Sequence, residues 1–239
     1  MITQETIDTL ARKYQTEDAN VWREYFQHVF LSYFYRQPGT DKVYFKGGTA
    51  LRLLYRSPRF SEDLDFSSSV KDVKIIEDAV VGALVEIERE GIKGELDEAK
   101  STSGGYLATM RFRANGSFVP TRIEISFRNG KEDSEVASIE GDFIPPYTVV
   151  QLSQEQIVEG KMQALLTRKK PRDFYDLYFL LRANLVGEKS KEKLQAALDA
   201  LHGTHIRFDR ELKRFLPKSH WPIIREFPDA LEREIKRYV

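Results

Sequence analysis

Cysteine is absent from the 239 residues, which excludes disulfide scaffolds, thiolate zinc sites and cysteine nucleophiles. Histidine is scarce, with four in the chain, and they read as surface or core residues rather than as catalysts. An excess of one charge is missing too: 37 basic side chains balance 37 acidic ones. No apolar run nears the ~20 residues that cross a bilayer; Leu177 to Leu181 is typical of those present. The opening MITQETIDTLARKYQ is polar, without the hydrophobic core of a leader. These absences predict a soluble, cytoplasmic protein with no membrane partner. No heptad seam appears, which favours a monomer.

What is present suffices for a folded core, since 41% of residues are hydrophobic and disorder is excluded. The length fits one large domain or two small ones. Charge is unevenly placed. Residues 1–150 hold 19 basic and 24 acidic side chains, whereas 151–239 hold 18 and 13. An acidic first part and a basic second part are compatible with metal chemistry beside a surface for a phosphate-bearing partner, although a solvated surface gives the same imbalance.

Periodicity supplies the organisation. Ile7, Leu10, Ala11 and Tyr14, then Val21 through Phe34, repeat at helical spacing. Val43 to Phe45 is a short strand stopped by Gly47-Gly48, a helix follows from Thr49, Leu64 to Phe66 is a second strand, and Val70 to Glu90 is an amphipathic helix. Tyr106 to Arg113 and Thr121 to Phe127 alternate with period two around Asn115-Gly116, the signature of a hairpin. Residues 131–150 read as irregular apart from a strand at Tyr147 to Val150. Helices are predicted at 154–169, 171–184, 188–202 and 208–239, the last interrupted at Pro217, Pro222 and Pro228. The change from mixed sheet to helices near residue 152 predicts domains at 1–151 and 152–239.

Three clusters carry chemistry. Lys46-Gly47-Gly48-Thr49 lies between a strand and a helix; glycines there let backbone approach a ligand, and the helix start offers N–H groups to an anion. A tight turn needing positive φ has the same sequence. In Arg59-Phe60-Ser61-Glu62-Asp63-Leu64-Asp65-Phe66, an extended backbone puts Asp63 and Asp65 on one side, about 6.5–7 Å apart at the α-carbons. Two carboxylates so placed suit hard divalent cations; a solvated strand end is the plainer alternative. The third cluster runs from Lys161 to Leu177. Pro171 suits a helix start, Asp173 and Asp176 share a face near it, and Lys161 sits beside Met162, Leu165 and Leu166.

The order of these clusters resembles the nucleotidyltransferase superfamily with the DNA polymerase β-type catalytic fold. More narrowly it resembles the AbiEii toxin family of abortive-infection, type IV toxin–antitoxin systems. The matching stretches are FKGGTALRLLY, RFSEDLDF and EGKMQALLTRKKPRDFYDLYFL, within roughly residues 40–185. The resemblance implies an α+β fold: a mixed sheet flanked by helices, then a C-terminal helical domain.

It also implies roles. Gly47, Gly48 and Thr49 match the glycine–serine element that holds the nucleotide triphosphate, with threonine in place of the usual serine. Asp63 and Asp65 match the metal-binding pair, and Glu124 is the best-placed third carboxylate. Lys161 matches a lysine that contacts nucleotide phosphates, and Asp173 and Asp176 match the family's aspartates; Arg59 or Arg172 would join Lys161 in binding the nucleotide and offsetting its developing charge. The sequence does not choose which of those two reaches the active site and which caps the helix. The implied reaction uses two Mg²⁺ ions to transfer a nucleotide from an NTP to a nucleic acid, the tRNA 3′ end being the acceptor the family suggests. A cognate antitoxin is an implied partner. Two alternatives stay open: a catalytically silent binding protein of this fold, and a same-fold transferase whose acceptor is a protein or small molecule.

Overall fold

The computed structural model describes residues 1–127 and 132–238, and its chain divides into two units, Met1–Leu152 and Ser153–Val239. The first unit holds α1 (Gln4–Tyr14), α2 (Asp18–Phe34), β1 (Val43–Lys46), α3 (Gly47–Tyr55), β2 (Asp63–Ser68), α4 (Val73–Arg89), β3 (Gly94–Thr102), β4 (Gly105–Ala114), β5 (Ser117–Phe127), β6 (Ser134–Ile139) and β7 (Tyr147–Leu152). Its strands form one seven-stranded sheet in the order β3-β4-β5-β2-β1-β7-β6. The sheet is mixed: β1 runs antiparallel to β2 and parallel to β7, and β2 runs parallel to β5.

Alternation decides which face is buried. Phe45, Leu64, Phe66, Ala108, Met110, Phe112 and Ile123 are fully enclosed and pack under α2 and α4. Phe26 of α2 stacks on Phe112 at 4.7 Å, and Phe34 meets Phe66 at 5.5 Å. Each such aromatic moved out of water contributes about 1.5–3 kcal/mol. At the β4–β5 turn, Asn115 and Gly116 both take positive φ, 47° and 80°, as a two-residue turn matched to the strand twist requires.

One prediction fails here and one strand goes unread. Residues 131–150 are not irregular before Tyr147, because β6 occupies Ser134–Ile139 (Lys131 is outside the described residues). β3, at Gly94–Thr102, was not anticipated either. Both strands lie at sheet edges and are exposed along most of their length. They therefore lack the apolar alternation by which a strand is recognised.

The second unit is helical: α5 (Gln154–Arg168), α6 (Pro171–Arg182), α7 (Glu188–Lys191), α8 (Leu194–His202), α9 (Phe208–Phe215), α10 (Trp221–Arg225) and α11 (Phe227–Ile235). The predicted helix 188–202 is thus two helices, and the stretch from 208 is three; Val239 lies outside the described residues. Phe174, Tyr175, Phe208, Leu212 and Phe227 form the interior, with Tyr175 stacked on Phe227. Among the described residues no helix is long and apolar enough to cross a membrane.

His28 of α2 is enclosed in the first unit, 2.9 Å from the Tyr147 hydroxyl and against the Phe143 ring. Burial, reinforced by Arg52, pulls its imidazole down to about 4. The unfolded chain takes up that proton near pH 6.5 and the folded one does not until far lower, so the stability is present above about pH 6.5 and lost as pH falls towards 4. Between about pH 7 and about pH 5 the loss from this group is about 2 kcal/mol. Denaturant titrations of wild type and His28→Gln should show a stability difference that shrinks by that amount at the lower pH. A difference that does not change with pH would mean that the imidazole is solvated.

Candidate active site

β1 passes directly into α3, and the join is built on backbone that only glycine adopts easily. Gly47 has φ +86°, and a β-carbon there would lie 2.1 Å from Oδ2 of Asp65. Gly48 is equally confined: its missing side chain would meet the Arg59 guanidinium and the Ser61 hydroxyl, each at 2.6 Å. The start of a nine-residue helix is thereby pressed against the acidic strand. The helix also presents its first N–H groups there.

Asp63 and Asp65 alternate with Leu64 and Phe66, which are fully buried on the other side of the sheet. The two acids consequently share the face opposite the core. Lys46 stands opposite Asp65 across β1–β2, while Arg122 and Glu124 of β5 are in register with Asp63 and Asp65. Burial, then the charge of Asp65, then that of Glu124, push the Asp63 carboxyl up to about 6. Like charges gathered in partly dry surroundings favour a cation.

The expected three-carboxylate group is only partly assembled. Glu124 lies beside Asp65 in register, but its carboxylate is paired with Arg122 at 2.9 Å. Among the described residues, no three acidic or histidine side chains converge as metal ligands would. The hard oxygen donors of Asp63 and Asp65, on one face and bordered by a glycine, fit a divalent cation as a pair.

Two further residues differ from the expectation. The Thr49 hydroxyl is wholly buried and donates to the Asp63 carbonyl at 2.5 Å, so α3 offers an anion backbone N–H groups rather than this side chain. Arg59 is buried beside Gly48 and donates to the Phe60 carbonyl at 3.1 Å. Lys46 heads the glycine cluster in the sequence without a role of its own, yet its ammonium reaches Ser67 and Ser126 on the acidic face. Its position one residue before the glycines, at a strand end, was the available signal.

In the helical unit, Lys161 of α5 pairs with Asp176 of α6 at 2.7 Å, and Asp176 is almost wholly buried. Asp173 accepts from the Lys170 backbone N–H and from Arg168, at 3.2 and 2.6 Å. Asp173 is therefore the helix cap, and Asp176 is the partner of Lys161.

Replacing Gly47 by Ala is expected to disturb both the bend and the acid. Positive φ alone costs a non-glycine residue roughly 1–2 kcal/mol, and the new methyl group displaces the Asp65 carboxylate. Thermal melts should show a clear destabilisation. Gly116→Ala, which needs positive φ but has open space around it, should show the backbone cost without the loss of site function.

A mixed sheet with an Asp-x-Asp strand set against a strand–glycine–helix turn defines a nucleotidyltransferase-type catalytic fold. The chain belongs to the AbiEii family: the family model described as nucleotidyl transferase AbiEii toxin, type IV TA system, matches residues 29–237. The crystal structure of JHP933 from Helicobacter pylori is similar in fold, with a TM-score of 0.65, 21% identity, and 93% of this chain and 94% of that one covered. A second H. pylori protein, provisionally assigned as a nucleotidyltransferase, aligns with a TM-score of 0.62 at 20% identity over 93% and 97% of the two chains. No curated protein matches the sequence.

Proposed function

We propose that this toxin transfers a nucleoside monophosphate from an NTP to a nucleic-acid acceptor in the cytoplasm, with the 3′ end of a tRNA as the acceptor. The observation that carries this reading is the Asp65 carboxylate lying against Gly47, which sets the acidic pair beside the anion-binding start of α3. Asp63 and Asp65 would hold Mg²⁺, with two ions in this reading and Glu124 as an additional ligand once released from Arg122. Bound there, the metal supplies charge neutralisation for the triphosphate and activation of the acceptor hydroxyl. The α3 N–H groups bind phosphate oxygens and offset their charge. A cognate antitoxin restrains the activity.

The test incubates purified protein with each labelled NTP, Mg²⁺ and total tRNA, beside an Asp65→Asn control. Label in tRNA above the control is the expected result. Label in protein or small molecules instead would move the acceptor to those classes. No incorporation into any pool would leave a silent binding protein of this fold.

A further inference from the structure

The strand that carries the acidic pair is held by side chains that no motif marks. Gln27 projects from α2, a helix enclosed along most of its length, and is 1% exposed. Its amide nitrogen donates to the carbonyl oxygens of Ser61 and Glu62, at 3.0 and 3.1 Å. Both acceptors are carbonyls, so only the NH₂ group can serve them and the amide orientation is fixed by chemistry. Thr49 of α3 donates to the next carbonyl, that of Asp63. Three consecutive carbonyls, at residues 61, 62 and 63, are thus each held by a buried side chain from one of two helices.

Those carbonyls lie where β2 begins, directly before and at the first acid of the pair. The tolerance at that point is less than a methyl group, since Gly47 touches the Asp65 carboxylate and Gly48 touches Ser61. A one-residue slip of the segment would turn both acids off the face that borders the glycine bend. We infer that Gln27, together with the Thr49 hydroxyl, is a positioning device that sets the spacing of the acidic pair against the glycine bend. The inference rests on the reading of Asp63 and Asp65 as cation ligands. Side chains that orient ligands from behind typically change metal affinity by about 10–100-fold when removed.

The experiment measures Mn²⁺ affinity by the electron paramagnetic resonance signal of the free ion, on the full chain, with circular dichroism to establish folding. The variants are Gln27→Met, which keeps the shape and loses both donors, Thr49→Val, which loses only the hydroxyl, Thr49→Ser, which restores it, and Asp65→Asn. Expected are about tenfold weaker Mn²⁺ binding in Gln27→Met and in Thr49→Val, and wild-type binding in Thr49→Ser. Folded Gln27→Met and Thr49→Val proteins that bind Mn²⁺ like wild type would overturn the inference and reduce these contacts to ordinary buried hydrogen bonds, while Asp65→Asn still lost binding. Equal binding by wild type and Asp65→Asn would instead sink the cation-site reading and the inference with it. Should Gln27→Met fail to fold, the Thr49 pair decides: affinity that does not return with serine overturns the positioning role.

Discussion

An Asp65→Asn protein is expected to lose nucleotide transfer by about a thousandfold while melting no lower than wild type. The substitution is nearly isosteric, so the close approach to Gly47 survives and only the charge is removed. A single group that meets developing charge in a water-poor site is worth about 10²–10³ in rate, and a carboxylate that also holds a cation stands at the upper end of that range. Stability moves the other way. Asp63 is pushed up to about 6 by burial and by the neighbouring carboxylates, which means that the folded protein holds these acids together at a cost. Deleting one charge lowers that cost, as expected where activity needs an electrostatically strained site. The pair of measurements is initial rate of label transfer and melting temperature at neutral pH. Retained transfer would place the chemistry elsewhere; a melting temperature several degrees lower would show that Asp65 serves the fold.

The same site separates what a linear reading reaches from what it misses. The residues 43–46 strand, the glycine bend, Asp63-Leu64-Asp65-Phe66 and the Asn115-Gly116 hairpin follow from local rules: alternation, positive φ and turn chemistry act within a few residues, and the core of the sheet unit obeys them. Gln27 is invisible by those rules. It is one of several polar residues in a largely buried helix, and its meaning comes from carbonyls more than thirty positions away. Thr49 reads as a phosphate contact because of its place after two glycines, yet the helix turns that side chain inward onto Asp63. Glu124 is implied by the resemblance and placed by its alternation with Ile123 and Ile125, which fixes the face a side chain points from but not whether Arg122 takes it. Asp173 and Asp176 are indistinguishable in spacing terms; the αL residue Lys169 and the Lys170 N–H decide which one caps. β3 and β6 escaped for a different reason, since a strand with little to bury writes almost no pattern.

The largest stability effect is expected from Arg52, on the turn of α3 away from the glycines. Its guanidinium forks onto Glu24 of α2, with nitrogen–oxygen distances of 2.7 and 3.3 Å, and its remaining donors reach the Ser57 and Pro58 carbonyls. The same group stacks over the Phe60 ring at 3.9 Å. Both charged side chains are largely enclosed, at 14% and 7% exposure. Arg52→Leu strands the Glu24 carboxylate without its counter-ion and should cost about 3–5 kcal/mol, the range for breaking rather than replacing a buried pair. Arg52→Lys should recover only part, because a lysine cannot fork or stack in the same way. Changing both partners, Arg52→Leu with Glu24→Leu, removes the stranded charge and should return much of the loss, so the double-mutant cycle measured by denaturant unfolding carries a large coupling energy. A double variant as unstable as Arg52→Leu alone would show that the Ser57 and Pro58 carbonyls, not the ion pair, are what Arg52 sustains. That outcome would bind the arginine to the segment leading into Asp63 and make the fold of α3 and the placement of the acidic strand one and the same requirement.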